Sequence, residues 1–409
     1  MALRLNRRNL LKAGAVGGAA AALAGTLPSP AGAAGAAGAA GAPTLGRHNP
    51  PGRLVAVFLR GGQDHLSATV PYTDADYYDR RPRIAVPDGA VLDLDGRFGF
   101  HPAMTGLHSL YRDRRLSLAV ATGNPAGDRS HFFAQDLVEH GDVRIPDDGL
   151  GWLGRHLGRT ETDDASPFRG LTLGNHVTAS LRGHPALGIA AIRSFGLGGA
   201  SGATAGLGST YRAGYGHDRP VDMFGRQALD AAEQIATLDA ASDPDPLARG
   251  FADTAILLEA DIGIEAVTVD MGGWDTHAQQ GTHDRGEMAD LLGTMDAALS
   301  DFQADLDRRG LVDVTTVVMT EFGRRVLENG AGGSDHGWGS AMLVMGGAAT
   351  GGVHGEWRGL SDDATGERGD VPVTTDGRDV LGDLVVDVLG GDPSEVFPGH
   401  SWKRVGVTA

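Results

Sequence analysis

Ala266-Val267-Thr268-Val269-Asp270-Met271-Gly272-Gly273-Trp274-Asp275-Thr276-His277 carries both a fold signal and a chemical one. Its first half is apolar and β-branched, as in a strand buried on both faces. Two glycines then end the run, and an acid and an imidazole follow two residues apart. In extended backbone, side chains two apart project to the same side, so Asp275 and His277 can share one ion. A buried Asp–His hydrogen bond beside a packed Trp274 is the plainer alternative.

Working outward, Met288, Leu291, Leu292, Met295, Leu299, Phe302 and Leu306 recur at helical spacing, and Gly310 stops the helix. Val312–Met319 and Ala341–Met345 are strands, and a last helix covers Asp379–Leu389 before Gly390-Gly391. Upstream, Arg53–Leu59 is a strand ending in Gly61-Gly62-Gln63-Asp64. A helix is expected near Met104–Tyr111, a strand over Leu116–Ala121, and a helix from Ser130 to His140 with Gly141 as its stop. Alternating strands and helices predict an α/β fold, a three-layer α/β/α sandwich around a mostly parallel sheet. Ligands of such sheets bind at the carboxyl ends of strands, where Asp64, Asp275 and Glu321 all fall.

About 145–250 reads as an irregular insertion. It holds short strand candidates at Leu171–Leu173 and Ile189–Ile192, a Gly/Ala/Ser-rich loop over Gly196–Gly216, and helical patterns at 224–240 and 249–260. The remainder of 43–409 is one domain.

The chain has 409 residues, 41% of them hydrophobic, and no cysteine. A packed core is therefore expected, and disulfides, thiolate metal sites and cysteine nucleophiles are excluded. Residues 1–42 read as a leader and tether. Asn6-Arg7-Arg8-Asn9-Leu10-Leu11-Lys12 resembles a twin-arginine signal, an Ala/Gly/Leu run reaches about Leu27, and Ala31-Gly32-Ala33 suits cleavage. A retained membrane anchor is the alternative, although the run is short and Gly-rich for a span. Export by the twin-arginine translocase to the periplasm, cell envelope or exterior follows, with no stable membrane span after cleavage. The leader carries Arg4, Arg7, Arg8 and Lys12 and no acid, so removing it takes the formal charge from −17 to −21. So acidic a protein repels phosphate backbones, which argues against nucleic-acid binding.

Further ligand candidates are Asp335 and His336 in Gly333-Ser334-Asp335-His336-Gly337, Glu321 in Thr320-Glu321-Phe322-Gly323-Arg324-Arg325, and His354. Each has a structural alternative. Asp335 can cap a turn, Glu321 can pair with Arg324 or Arg325, Asp64 can be a turn residue, and a lone His354 can be packing. Neighbouring Asp335 and His336 diverge in extended backbone, and so can feed two ions. Arg324 is a candidate for orienting an anionic substrate. Ser130, at a helix start, is a candidate nucleophile or a simple N-cap. His131 beside it is a ligand, an acid or a surface residue. Carboxylates and imidazoles together suit one or two divalent ions, Zn, Mn, Mg or Ca.

The stretches Gly61–Tyr72, Phe100–Tyr111, Ser130–Gly141, Gly151–Leu157, Gly273–Gln280, Thr320–Arg325 and Asn329–Trp357 resemble an exported bacterial family, domain of unknown function 1501. The resemblance implies an alkaline phosphatase-like sandwich, related to sulfatases, with a possible two-metal hydrolytic site. It implies ligand roles for Asp64, Asp275, His277, Asp335, His336 and His354, and a nucleophile at Ser130. Two departures stand out. Asp275-x-His277 is tighter than the usual spacing, and Asp335-His336 lies beyond its strand, leaving Glu321 where a ligand normally is. Either the metal geometry is altered or one ion binds. The expected function is a metal-dependent hydrolase of phosphate or sulfate esters. The alternative is a non-catalytic exported protein that keeps the fold and binds an envelope glycan or partner. A purely structural Ca²⁺ site fits poorly with imidazole ligands.

Overall fold

The computed structural model describes residues 50–161, 166, 168–195, 207–216 and 219–409. The leader, tether and cleavage site lie outside the described residues.

Arg53–Leu59 forms β1, the centre of the main sheet. Its alternation explains the three layers. Val55, Val57 and Leu59 enter one core, and Leu54, Ala56 and Phe58 enter the other. The first core is covered by α1 (Thr105–Arg112), α4 (Pro246–Glu259) and α5 (Glu287–Arg308). Met295, Leu299 and Phe302 of α5 lie in it beside Leu107 and Phe251. The second core is covered by α3 (Trp152–Arg159) and α6 (Gly377–Asp387), through Trp152, Leu153, Val380 and Leu384. This is the expected α/β/α sandwich.

The strands that matter are β2 (Leu116–Gly123), β3 (Gly170–Leu173), β4 (Ala186–Ile189), β5 (Ala266–Met271), β6 (Val314–Thr320), β7 (Arg324–Glu328), β8 (Ser334–His336), β9 (Ser340–Gly346), β10 (Gly352–His354) and β11 (Thr375–Asp376). The main sheet runs β10-β2-β9-β6-β1-β5-β3-β4, and β11 also pairs with β2. Within it β9 alone runs antiparallel to its neighbours, β2 and β6. The register fixes the rim. Leu59 is opposite Met271 on one side and Thr320 on the other. The segments that follow, Arg60-Gly61, Gly272-Gly273 and Glu321, therefore leave the sheet side by side. Ser340 begins β9 at the same rim, paired with Thr122 near the end of β2.

Several elements differ from the sequence reading. Within the stretch expected to be irregular, β3 and β4 form the sheet edge, four residues each and too short to show a period. Ile192 starts a short 3-10 turn instead of continuing a strand. Of the expected loop at Gly196–Gly216, residues 196–206 lie outside the described residues and Leu207–Gly214 is helical. The hairpin β7–β8 had no strand signal, because its residues are those of the chemical motif.

Candidate metal centre

Helix α2 (His131–His140) follows β2 and ends as expected at Gly141, which adopts a left-handed φ of 60°. Its first residue, His131, reaches back to the rim. There its Nε2 meets His336 Nε2 at 2.9 Å, and His277 Nε2 meets the same atom at 2.8 Å. Asp275 Oδ1 completes the group, at 3.1 Å from His277 Nε2, 3.2 Å from His336 Nε2 and 3.4 Å from His131 Nε2. His131, Asp275 and His336 present ligand atoms within 4.8 Å of one another, and His277 extends the set.

The far side of each ring decides what these close approaches mean. His131 Nδ1 is 2.7 Å from Glu321 Oε1, His336 Nδ1 is 2.8 Å from the Arg129 carbonyl, and His277 Nδ1 is 3.3 Å from Asp335 Oδ1. All three partners only accept, so each Nδ1 carries a proton and Nε2 is the ring atom left to meet a cation. Three imidazole Nε2 atoms then crowd one Asp275 oxygen, which also accepts from Arg324 at 2.6 Å. Such a group repels itself unless a cation is shared. Outer-nitrogen bonds of this kind fix the tautomer and orientation of metal-ligating histidines. Ligands about 2.0–2.1 Å from a zinc ion at tetrahedral corners lie about 3.3 Å apart; the separations among His131, Asp275 and His336, and those of His277 from Asp275 and His336, bracket that value. The residues present fit a divalent ion.

The electrostatics agree. Burial lowers the pKa of His336, outweighing its bonds to the Arg129 carbonyl and Asp275, so the ring is neutral and able to ligate. Burial opposes the charge on Asp275, but the Arg324 guanidinium, bonded at 2.6 Å, leads the groups that pull its pKa down to about 2. Burial likewise opposes Glu321, yet the bonds it accepts, with Gln135 the strongest donor, hold it below the ordinary carboxylate value. Glu321 Oε1 accepts from Gln135 Nε2 and from the Gly61 N–H, each at 2.9 Å. Asp335 is held below its ordinary value chiefly by a 3.0 Å bond from Asn329.

Glu321 and Asp335 are thus gathered at the centre, but through the outer nitrogens of His131 and His277, not as direct ligands. Arg324 is fully buried and differs from the expected substrate-orienting group. Its fork donates to Gly62 O at 2.6 Å, Ser334 O at 2.9 Å, Trp274 O at 3.1 Å and Asp275 Oδ1 at 2.6 Å. It ties all three motif loops together and has no face left for a substrate. Asp64 is also fully buried and is not in the cluster. Its Oδ2 accepts from Arg81 at 2.7 Å, Ser67 at 2.7 Å and Gln280 at 2.9 Å. The guanidinium answers its charge. His354 is on β10, which pairs with β2, and its Nε2 approaches the Gly351 carbonyl at 3.2 Å, away from the cluster. Ser130 is exposed beside His131 and occupies the N-cap position, yet its side chain makes no cap bond.

Sequence reasoning left His131 open and passed over Gln135, Asn329 and Phe322. Gln135 is four residues from His131 and so shares its helix face. Phe322 is buried with its ring centroid 4.9 Å from those of both His131 and His336. The Gly62 backbone, at φ 65°, leaves room for that ring, because a Cβ there would lie 2.4 Å from it.

A family described as protein of unknown function (DUF1501) matches residues 52–375. The chain belongs to this family. A twin-arginine translocation signal matches residues 4–24, which marks the chain for export. No helix among the described residues is long and apolar enough to cross a membrane. No curated protein matches the sequence. Among solved structures, the C-terminal periplasmic domain of EcEptC from Escherichia coli in complex with Zn is similar at 10% identity, over 87% of this chain and 88% of that one, with a TM-score of 0.40. The lipoteichoic acid synthase LtaP from Listeria monocytogenes is similar at 9% identity, over 90% and 78%, with a TM-score of 0.36. The phosphonate monoester hydrolase SpPMH from Silicibacter pomeroyi is similar at 11% identity, over 86% and 78%, with a TM-score of 0.37.

Proposed function

We propose that the chain is an exported hydrolase of phosphate or sulfate esters that uses one divalent ion, with zinc the best fit to a nitrogen-rich set. His131, His277, His336 and Asp275 would hold the ion. The observation that carries this is that all three Nδ1 atoms meet oxygen acceptors, while the Nε2 atoms of His131 and His277 each approach His336 Nε2 and Asp275 Oδ1. A divalent ion bound there supplies Lewis acidity toward an ester oxygen.

The chain's own groups do the rest. Glu321 and Asp335 keep the imidazoles in the ligating tautomer. Arg324 holds Asp275 ionised and the three loops in register. The first-turn N–H groups of α2 have no intrahelical partner and receive no cap from Ser130, so they can accept an oxyanion. Ser130, free of capping, is the nucleophile in this reading, with water as the alternative. In the net reaction the bond from phosphorus or sulfur to the alcohol oxygen breaks, water's oxygen ends on the oxyanion, and a proton goes to the alcohol.

A second reading rests on Asp64. Its pairing with Arg81 leaves one His/Asp cluster among the described residues, and a single ion also serves a non-catalytic protein that captures anions of the cell envelope. Elemental analysis of the exported protein, followed by a phosphatase and sulfatase screen with Asp275→Ala as control, separates these readings. One equivalent of metal with turnover lost in the variant supports hydrolysis. Metal with anion binding but no turnover supports capture, and substoichiometric metal removes both.

A further inference from the structure

Phe132 is 87% exposed and Phe133 39% exposed. Scattered exposed apolar residues need no explanation; the position of Phe132 does. It follows His131 directly, about 100° around the helix. The inward face is set by His131 and by Gln135, whose amide reaches Glu321 at 2.9 Å. Ala134 and Leu137 bury the opposite flank. Phe132 therefore stands on the open side of the first turn. Side chains of a helix tilt toward its N-terminus, so the ring leans over the start of α2, where Ser130 is exposed and the uncapped N–H groups emerge. The centre itself is open, with Asp275 49% and His277 42% exposed. An apolar surface thus borders a site built for an oxyanion.

We infer that Phe132 is a specificity-determining residue and that the substrate is amphiphilic: a phosphate or sulfate ester whose alcohol carries an alkyl chain that packs on this ring. The inference rests on the hydrolase reading above. It commits to a substrate contact rather than to a membrane contact.

The test uses hexyl and methyl esters, which have similar leaving groups and differ in apolar length, on the metal-loaded full-length mature protein. The wild type should prefer the hexyl ester. Phe132→Ala should raise KM for the hexyl ester about five- to tenfold, the order expected for losing part of one apolar contact, while leaving kcat and all constants for the methyl ester unchanged. Hexylphosphonate and methylphosphonate, measured by titration calorimetry, give the same comparison without turnover, and Phe132→Leu should restore most of the hexyl affinity. Equal handling of the two chain lengths, with metal-dependent turnover intact, overturns the inference and leaves the hydrolase reading standing. Absence of both turnover and phosphonate binding overturns the two together. Loss of phosphatidylglycerol vesicle binding in Phe132→Ala, with chain-length preference unaltered, assigns the ring to a membrane contact and overturns it as well.

Discussion

Replacing Glu321 by Gln changes one charge in the centre and almost nothing else. The Glu321 side chain is fully buried. Its Oε1 accepts from His131 Nδ1 at 2.7 Å, the Gly61 N–H at 2.9 Å and Gln135 at 2.9 Å, and its Oε2 accepts from Thr320 at 2.9 Å. A glutamine oxygen can keep the first three bonds, and its NH₂ can donate to the Thr320 hydroxyl. What disappears is the ionic part of the bond to His131. A charge-assisted bond contributes about 1.5–3 kcal/mol and a neutral one about 0.5–1.5 kcal/mol, so the midpoints differ by about 1.3 kcal/mol, or about eight- to tenfold in metal affinity. This lies at the lower end of the usual ten- to hundredfold effect of outer partners. Asp335→Asn is the internal control. Asp335 is 52% exposed and its contact to His277 is longer, 3.3 Å, so water screens it and the loss should be about two- to threefold. Zinc affinity measured by competition with a chromophoric chelator reads both, and thermal unfolding of the metal-free proteins checks that the fold is kept. Wild-type affinity in Glu321→Gln, or a larger loss in Asp335→Asn, would refute the claim that these carboxylates act by orienting imidazoles.

Other outcomes follow from the same contacts. Arg324→Lys cannot reproduce a fork shared among Gly62, Ser334, Trp274 and Asp275, and should cost about 3–5 kcal/mol, read by urea unfolding of the metal-free protein; a loss below about 1 kcal/mol contradicts the stapling role. Gly62→Ala, at φ 65° with its Cβ 2.4 Å from the Phe322 ring, should lower zinc affinity by displacing the ring beneath His131 and His336; unchanged affinity removes Phe322 from the account. His65 is sealed in the interior, and burial lowers its pKa to about 4 despite the nearby Asp64 charge. The unfolded chain binds that proton from about pH 6.5 downward and the folded one does not. Stability is therefore full above pH 6.5 and falls by up to about 3 kcal/mol as pH drops to 4. His65→Gln should flatten that limb of a urea-unfolding pH series, and an unchanged slope counts against a neutral buried ring.

The sheet was legible because its strands carry continuous apolar runs: Arg53–Leu59, Ala266–Met271 and Val314–Thr320 can only be buried on two faces. From such runs the rim follows, and with it the places of Asp64, Asp275 and Glu321; His336 lies further on, beyond Glu321, where the apolar runs do not reach. The distinction between ligands and the groups that hold ligands was not legible. Asp64, Glu321 and Asp335 are all carboxylates following glycines or strands, and nothing in their spacing tells which one Arg81 neutralises. That depends on contacts across long sequence separations, such as Arg81 entering from a short helix near Asp64 to donate also to the Arg325 and Val326 carbonyls. His131 was ambiguous for a related reason: a helix's first residue faces inward or outward according to how the helix packs.

The environment assigns four acids of similar intrinsic pKa to different tasks. Asp64 meets a buried guanidinium and becomes half of an internal ion pair, with its pKa drawn down to about 2 against the cost of burial. Asp275 gives one oxygen, Oδ1, both to Arg324 and to the three imidazoles. Glu321 and Asp335 take the outer nitrogens. At the centre, Asp275, Glu321 and Asp335 stand against Arg324, with Arg325 also acting on Asp335, so the partly desolvated rim stays net negative. A cation suits that charge; Asp64 Oδ2 is taken by Arg81 and His354 faces Gly351, while Asp64 Oδ1 is buried without a hydrogen-bond partner. The Arg81 guanidinium, which answers the Asp64 charge, is the reason the proposed chemistry is written with one ion instead of two.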